Sequence, residues 1–463
     1  MIFHPKEKAR TTDMTQGSIP RLIINFALPL MMGNLFQQLY NTVDSIIVGN
    51  YVGKEALAAI GATSPFVNTL IGFFMGFATG GGILISQYFG AKNIAALRKS
   101  VHTLFLSTII LGALFTVLGV RCNLTLLHLN STPEDVMEQA HIYLTIHFAG
   151  IIFLMLYNMG SGILRALGDS RRPVQFLIVS SLVNVVLDLF FVIKLKWGIA
   201  GAAYATMISQ AVSSAFVIHA LITGDPSYRI KFRELKIDPK ILRKILALGV
   251  PGGIQASITS FSNIFVQGYI NRFGSDCVAG WATFNKIDQV CLLPIQSLQM
   301  STTTYVGQNY GASNIARAKK GVWVSTAIAL ILALILFITM QAFAAPLVKL
   351  FNKDDGVLYY GTYFLRVCTL FYLLRVLSPV FAGALRGFGN TAAPMLLLLN
   401  GYVVFRQIYL YITTHLTTAF FPVSICYPVG WSMCSVTIAA YYIWWTRKTF
   451  PKNQPPVLSS TPQ

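Results

Sequence analysis

Four polar side chains interrupt an apolar stretch near the start of the chain, "NLFQQLYNTVDSIIVG" at residues 34–49. Asn34, Gln37, Asn41 and Asp44 are spaced three, four and three apart, so on a helix they line one face. Ser180, Asn184 and Asp188 repeat the arrangement at spacings of four. An ionised carboxylate surrounded by hydrocarbon is costly. Two of them side by side relieve that cost by sharing a proton or holding a cation, and amide and hydroxyl oxygens serve as neutral ligands. The blander reading, in which each aspartate caps backbone groups or reaches out to the interface, explains one acid better than it explains two above amide columns.

Gln255, Thr259, Asn263 and Gln267 form a further column at spacings of four, without an acid. The charges of the second half stand elsewhere: Lys286 and Asp288 in "NKIDQ", then Arg366, Arg375 and Arg406. Lys286 and Asp288 are two apart and share no helix face, so they line the outer part of a cavity or pair with other helices. The arginines are expected to be structural, ion-paired or snorkelling. Enzyme chemistry finds little support. No HExxH occurs, and His141 and His147 are too far apart to share one turn. The aspartates sit in "TVDS" and "VLDL", unlike the YD and GxGD motifs of intramembrane aspartyl proteases. No enzyme activity and no resident cofactor are expected.

The elements that must position these groups follow from composition. With 54% hydrophobic and 11% charged residues among 463, the chain is not an ordinary soluble protein. Apolar runs of about 20 residues, long enough to cross roughly 30 Å of hydrocarbon as helix, predict an all-α polytopic membrane protein. Twelve spans are placed near 20–48, 57–86, 100–120, 138–160, 173–193, 198–222, 246–270, 278–306, 321–343, 357–383, 392–414 and 422–446. Asp44 and Asp188 each fall about five residues, roughly 8 Å, from the outer ends of their helices. Most lysines and arginines fall on one side, seven of them between 223 and 245, which places both termini in the cytoplasm. The formal charge of +19 then belongs to segments facing the cytoplasmic leaflet, and no nucleic acid is expected as a partner. The start, "MIFHPKEKARTTDMTQGSIP", fits no cleavable signal, and six cysteines offer no disulfide framework.

The chain also repeats itself. "QYFGAKNIAALRK" from 87 matches "QNYGASNIARAKK" from 308 at seven of thirteen positions, and "GILRALGDSRRP" from 162 recurs as "GALRGFGNTAAP" from 383, both at an offset of 221. An even number of spans separates the copies, so the halves run parallel. The expected organisation is a cytoplasmic segment 1–19, a six-helix lobe 20–222, a basic linker 223–245, a second six-helix lobe 246–446 and a cytoplasmic tail 447–463. Two similar bundles suit alternating access. Pro29, Pro65, Pro251, Pro294 and Pro379 fall inside spans, where each permits a bend.

These residues resemble the multidrug and toxic compound extrusion (MATE) transporters along nearly the whole chain, from "NFALPLMMGNLFQQLYNTVDSIIVG" through "ALAAIGATSP", "QYFGAKN", "GILRALGD" and "NVVLDLFF" to "NKIDQVCLLPIQSL", "VGQNYGA" and "AGALRGFGN". The resemblance implies export of organic cations or other amphipathic compounds by antiport with protons or sodium. It also implies a cation-coupling site at Asp44, Asn184, Asp188 and Thr206, where sodium is the possible metal. Gln37, Asn41, Gln255, Thr259, Asn263, Lys286 and Asp288 are candidates for lining the cavity, and the walls of the drug cleft between the lobes are expected to be apolar and aromatic with few fixed charges. The second half departs from NorM-like members, since the seventh helix has no acid and Arg375 stands near an expected one; the sequence is more similar to DinF/MepA-like members. Further expectations are the cell membrane as location, the lipid bilayer and a small amphipathic or cationic substrate as partners, and function as a monomer. The alternative is a flippase for lipid-linked oligosaccharides or precursors, from the same superfamily.

Overall fold

The structure is a computed structural model that describes residues 11–130 and 132–451. Much of the expected segment 1–19 and tail 447–463 therefore lies outside the described residues. The first half contributes α1 (Ile19–Tyr51), α2 (Lys54–Gly90), α3 (Ile94–Leu129), α4 (Glu134–Ala166), α5 (Arg171–Asp188), which runs on as a π-helical turn Leu189–Lys194, and α6 (Gly198–Ile222). The second contributes α7 (Pro239–Asn271), α8 (Ser275–Gly311), α9 (Ile315–Lys349), α10 (Asp355–Thr369), α11 (Tyr372–Arg375), α12 (Leu377–Gly387), α13 (Ala392–Leu399), a π-helical turn Asn400–Phe405, α14 (Arg406–Leu416), α15 (Phe420–Ser424) and α16 (Cys426–Thr449).

Counting α10 to α12 as one bent span and α13 with α14 as another, the helices make twelve membrane spans. Nine of them, among the described residues, pass a plain test of length and apolarity, and α10 with its continuation, bent by 56°, is a tenth. The other two, α8 and α16, are 37 and 24 residues long. Amides and charges lower the apolarity of α8, and small and aromatic residues that of α16.

The repeats are local turn chemistry written twice. Between α2 and α3, Lys92 adopts φ 55°, and Asn93 caps α3 by accepting from the Ala96 N–H at 3.0 Å. Between α8 and α9, Ser313 has φ 59°, and Asn314 accepts from the Arg317 N–H at 3.3 Å. Gly168 and Gly389, at φ 86° and 90°, end α4 and α12 in the left-handed conformation that glycine adopts without penalty. Gly53 and Gly274 form a further positive-φ pair at the same offset, one that the sequence comparison did not single out.

Two compact units result. Among the described residues, the first takes 11–13 together with Met32–Gly253, and the second Met14–Met31 and 254–451. The expected lobes at 20–222 and 246–446 place 20–31 and 246–253 differently. Both α1 and α7 are divided between the units two residues past a proline, Pro29 and Pro251, where a backbone hydrogen bond is lost and the helix can bend. The expected linker 223–245 is also shorter, because Asp238 starts α7 early by accepting from the N–H groups of Lys240 and Ile241 at 3.0 and 3.2 Å. Its chain is pinned to α3 by hydrogen bonds from the Lys231 N–H to His102 Nε2 and from the Asp238 N–H to Thr103 Oγ1, both 3.1 Å.

In the first unit α4 is the hub, packed against α2, α3 and α6. Gly76 and Gly80 of α2 face Gly253 and Gly249 of α7 so closely that a Cβ at Gly80 would stand 2.5 Å from the Gly249 nitrogen. Four glycines at GxxxG spacing let two backbones touch, as in membrane helix pairs generally. In the second unit α8 is the hub, against α9, α10 and α12, with α16 closing on α12.

Candidate functional site

In the first unit α1 and α5 bring the two aspartates together. Asp188 is completely buried and Asp44 half-buried, and their carboxyl groups lie in hydrogen-bonding proximity. Two ionised carboxylates offer each other only acceptors; accordingly both oxygens of Asp188 and Oδ1 of Asp44 have no donor. Asn184, one turn before Asp188 and equally enclosed, has neither its amide nitrogen nor its oxygen satisfied. A buried polar group left unpaired costs about 1–3 kcal/mol. A proton between the carboxyl groups, or a cation beside them and the Asn184 oxygen, removes that cost.

Of the remaining residues predicted here, Thr206 lies half-buried on α6, the helix packed on α5, and among the described residues no hydrogen bond ties its hydroxyl to either carboxyl. Gln37 and Asn41 are exposed on α1. Sequence reasoning missed Tyr40 and Tyr143, whose phenols lie within electrostatic reach of both aspartates. Tyr40 stands one turn before Asp44 and was within reach of a periodicity argument. Tyr143 comes from α4, where its ring stacks on His147 with centroids 6.1 Å apart, and no sequence signal marks it. The π turn that begins at Leu189, directly after Asp188, was equally silent; such turns recur at functional sites.

The second unit encloses a cavity of about 390 Å³. Of the candidate lining residues, Thr259, Asn263 and Asp288 are on its wall, and Gln255 and Lys286 are not. Gln255 accepts a hydrogen bond from Arg386 at 2.9 Å. Lys286 is exposed because two residues along a helix is about 200° of rotation, so α8 turns Asp288 inward and Lys286 out. Arg375 and Arg406 also line it. Neither snorkels. Arg375 holds Asp288 with two hydrogen bonds of 2.6 and 3.0 Å and stacks on Trp431 at 3.8 Å, while Tyr372 donates to the same carboxylate at 2.5 Å. Arg375 reaches this position from α11, in the broken middle of the tenth span. Pro379 cannot donate to the Arg375 carbonyl, which accepts instead from Ser378 Oγ at 3.2 Å.

Twelve membrane helices in two halves, a carboxylate pair in one unit and a polar, aromatic cavity in the other define a membrane transporter. The MatE family model matches residues 29–190 and again 251–412, well over half the chain and once in each half, and the chain belongs to that family. It is 28% identical over 96% of its length to "Probable multidrug resistance protein YoeA" of Bacillus subtilis, of which 98% is covered. It is 25% identical over 81% of its length to the "FAD transporter" of Shewanella oneidensis, covering 84% of that protein. Similarity to "Multidrug export protein MepA" of Staphylococcus haemolyticus is 23% over 84% of the chain and 86% of that protein, consistent with a DinF/MepA-like member. Among solved structures, a MOP-superfamily transporter from Pyrococcus furiosus superposes with TM-score 0.89 at 25% identity, over 95% of this chain and 98% of that one. The reverse polarity of that protein's binding pocket is described as suggesting a different function. An outward-facing multidrug resistance MATE transporter superposes at 0.90 with 24% identity, over 96% and 99%. The protein is thus a multi-pass membrane transporter of small compounds and not an enzyme.

Proposed function

We propose that the chain is a secondary active exporter that expels amphipathic small compounds from the cell by alternating access, in exchange for protons or sodium entering at Asp44 and Asp188. The observation that carries this reading is the pair itself, two carboxyl groups in hydrogen-bonding proximity with three oxygens lacking a donor. Asn184 and Thr206 supply neutral oxygens, and the substrate occupies the aromatic cavity of the second unit. To drive transport, the ion must bind one conformation better than the other, because equal affinity shifts nothing. The basic excess on one side of the membrane supports cytoplasmic termini and the cell membrane as location, and each unit encloses its own polar cluster, which suits a working monomer.

The test is uptake of a fluorescent amphipath into inverted vesicles, with a proton or a sodium gradient imposed separately. One gradient should drive uptake, and Asp44→Asn should abolish the driven part while the protein remains inserted and folded. Normal export by Asp44→Asn with the normal pH profile refutes the assignment. The two arginines on the cavity wall favour a second reading, a flippase for a lipid-linked pyrophosphate. Stimulation by neither gradient selects it.

A further inference from the structure

Arg406 is only 3% exposed, at the start of α14, and it lines the cavity. Among the described residues no acidic side chain pairs with it. Its hydrogen bonds leave from Nη2 alone, to Ser262 Oγ and Asn263 Oδ1, both at 2.9 Å. Its Nε has no partner, and the Tyr427 ring lies 4.6 Å from the guanidinium carbon. The other cation on the wall is in a different position, because Arg375 and Asp288 neutralise one another. The cavity is left with one net positive charge, and that charge sits on Arg406.

A guanidinium enclosed among neutral partners is costly unless a counter-charge arrives. Its planar fork suits the two oxygens of a carboxylate or phosphate better than any other group. Around it the wall is aromatic. Trp281 lies 4.9 Å from Tyr427, which lies 6.1 Å from Trp431, centroid to centroid. Gln289 and Gln296 add amide donors and acceptors. A cavity of about 390 Å³ is at the small end of the range for sites that enclose organic ligands.

We infer that this cavity selects aromatic solutes bearing an oxyanion, a carboxylate or a phosphate, which Arg406 anchors while the rings of Trp281, Tyr427 and Trp431 stack on the body. A purely cationic aromatic compound meets repulsion there instead. The inference rests on the reading of the cavity as the substrate site, and it narrows the class of compound carried.

Binding of dansylglycine, a carboxylate, is compared with dansylcadaverine, an ammonium, to the purified full-length protein in lipid nanodiscs. Energy transfer from tryptophan to the dansyl group is the readout. Dansylglycine should bind at least about ten-fold tighter, the equivalent of one charge-assisted hydrogen-bonded contact. Arg406→Gln should remove that advantage, weakening dansylglycine and leaving dansylcadaverine unchanged or tighter as the repulsion is lost, and Arg406→Lys should keep part of the advantage. Equal affinities in the unsubstituted protein, a preference for dansylcadaverine, or no binding of either overturns the inference without recourse to any variant. Displacement of dansylglycine by 1-naphthyl phosphate or by 1-naphthoate identifies the preferred oxyanion, and equal displacement by neutral 1-naphthol overturns the anchor. No gradient is present in this assay. Failure of ion coupling would therefore leave the charge preference visible, and absence of the preference would leave gradient-driven export of cations standing.

Discussion

Replacing Asp288 by Asn isolates the energetics of the cavity wall. The carboxylate is 7% exposed and takes three hydrogen bonds, two from Arg375 and one from Tyr372. Removing one partner of such a buried pair costs about 3–5 kcal/mol, mainly because the other charge is left uncompensated. Two features favour the lower end: an Asn oxygen still accepts one bond, and Arg375 keeps its stack on Trp431 at 3.8 Å. A loss of about 3 kcal/mol lowers the unfolding midpoint by roughly 10 °C for a unit of this size. Thermal unfolding in nanodiscs, followed by tryptophan fluorescence, measures it. Asp288→Asn combined with Arg375→Gln should recover at least half of the loss, since the stranded charge is gone. A single variant within about 2 °C of the unsubstituted protein, or a double variant no better than the single one, refutes the reasoning.

Two further outcomes concern helix packing and the orientation of the linker. Gly80→Ala should destabilise the first unit by about 1–3 kcal/mol, because its Cβ would meet the backbone of Gly249 and Ile245 within 2.6 Å; Gly268→Ala, with nothing within 4 Å of the added carbon, should be neutral or slightly stabilising in the same unfolding assay. A cysteine at exposed Lys236, in a background with Cys122→Ser, should react with a membrane-impermeant maleimide in inverted vesicles and not in intact cells, and labelling of intact cells overturns the orientation.

Much of this protein was legible without coordinates because its determinants are local. Whether a run of residues enters hydrocarbon depends on that run alone, so the number of spans followed from composition. The turns at Asn93 and Asn314, and at Gly168 and Gly389, are set by one capping amide or one residue with positive φ, so the duplication could be read from short matches. Asp44 and Asp188 were visible too, since a column of polar residues at helical spacing reveals itself in any apolar sequence. What no local rule contains is which helix a given face meets. The partnership of Asp44 with Asp188 was only inferred from matched depth, whereas the approach of Tyr143 to both depends on how α4 packs within the unit. Arg375 was expected to be a structural arginine and Lys286 a possible cavity residue. The break at Leu370 and Phe371 gives Arg375 its ion pair with Asp288, and the rotation of α8 turns Lys286 outside, and neither partner nor rotation could be read along the chain. Arg406 shows the limit most plainly. An arginine in a membrane helix is assigned by its counter-charge, and only the packed structure reveals that this one is enclosed by neutral oxygens and aromatic rings.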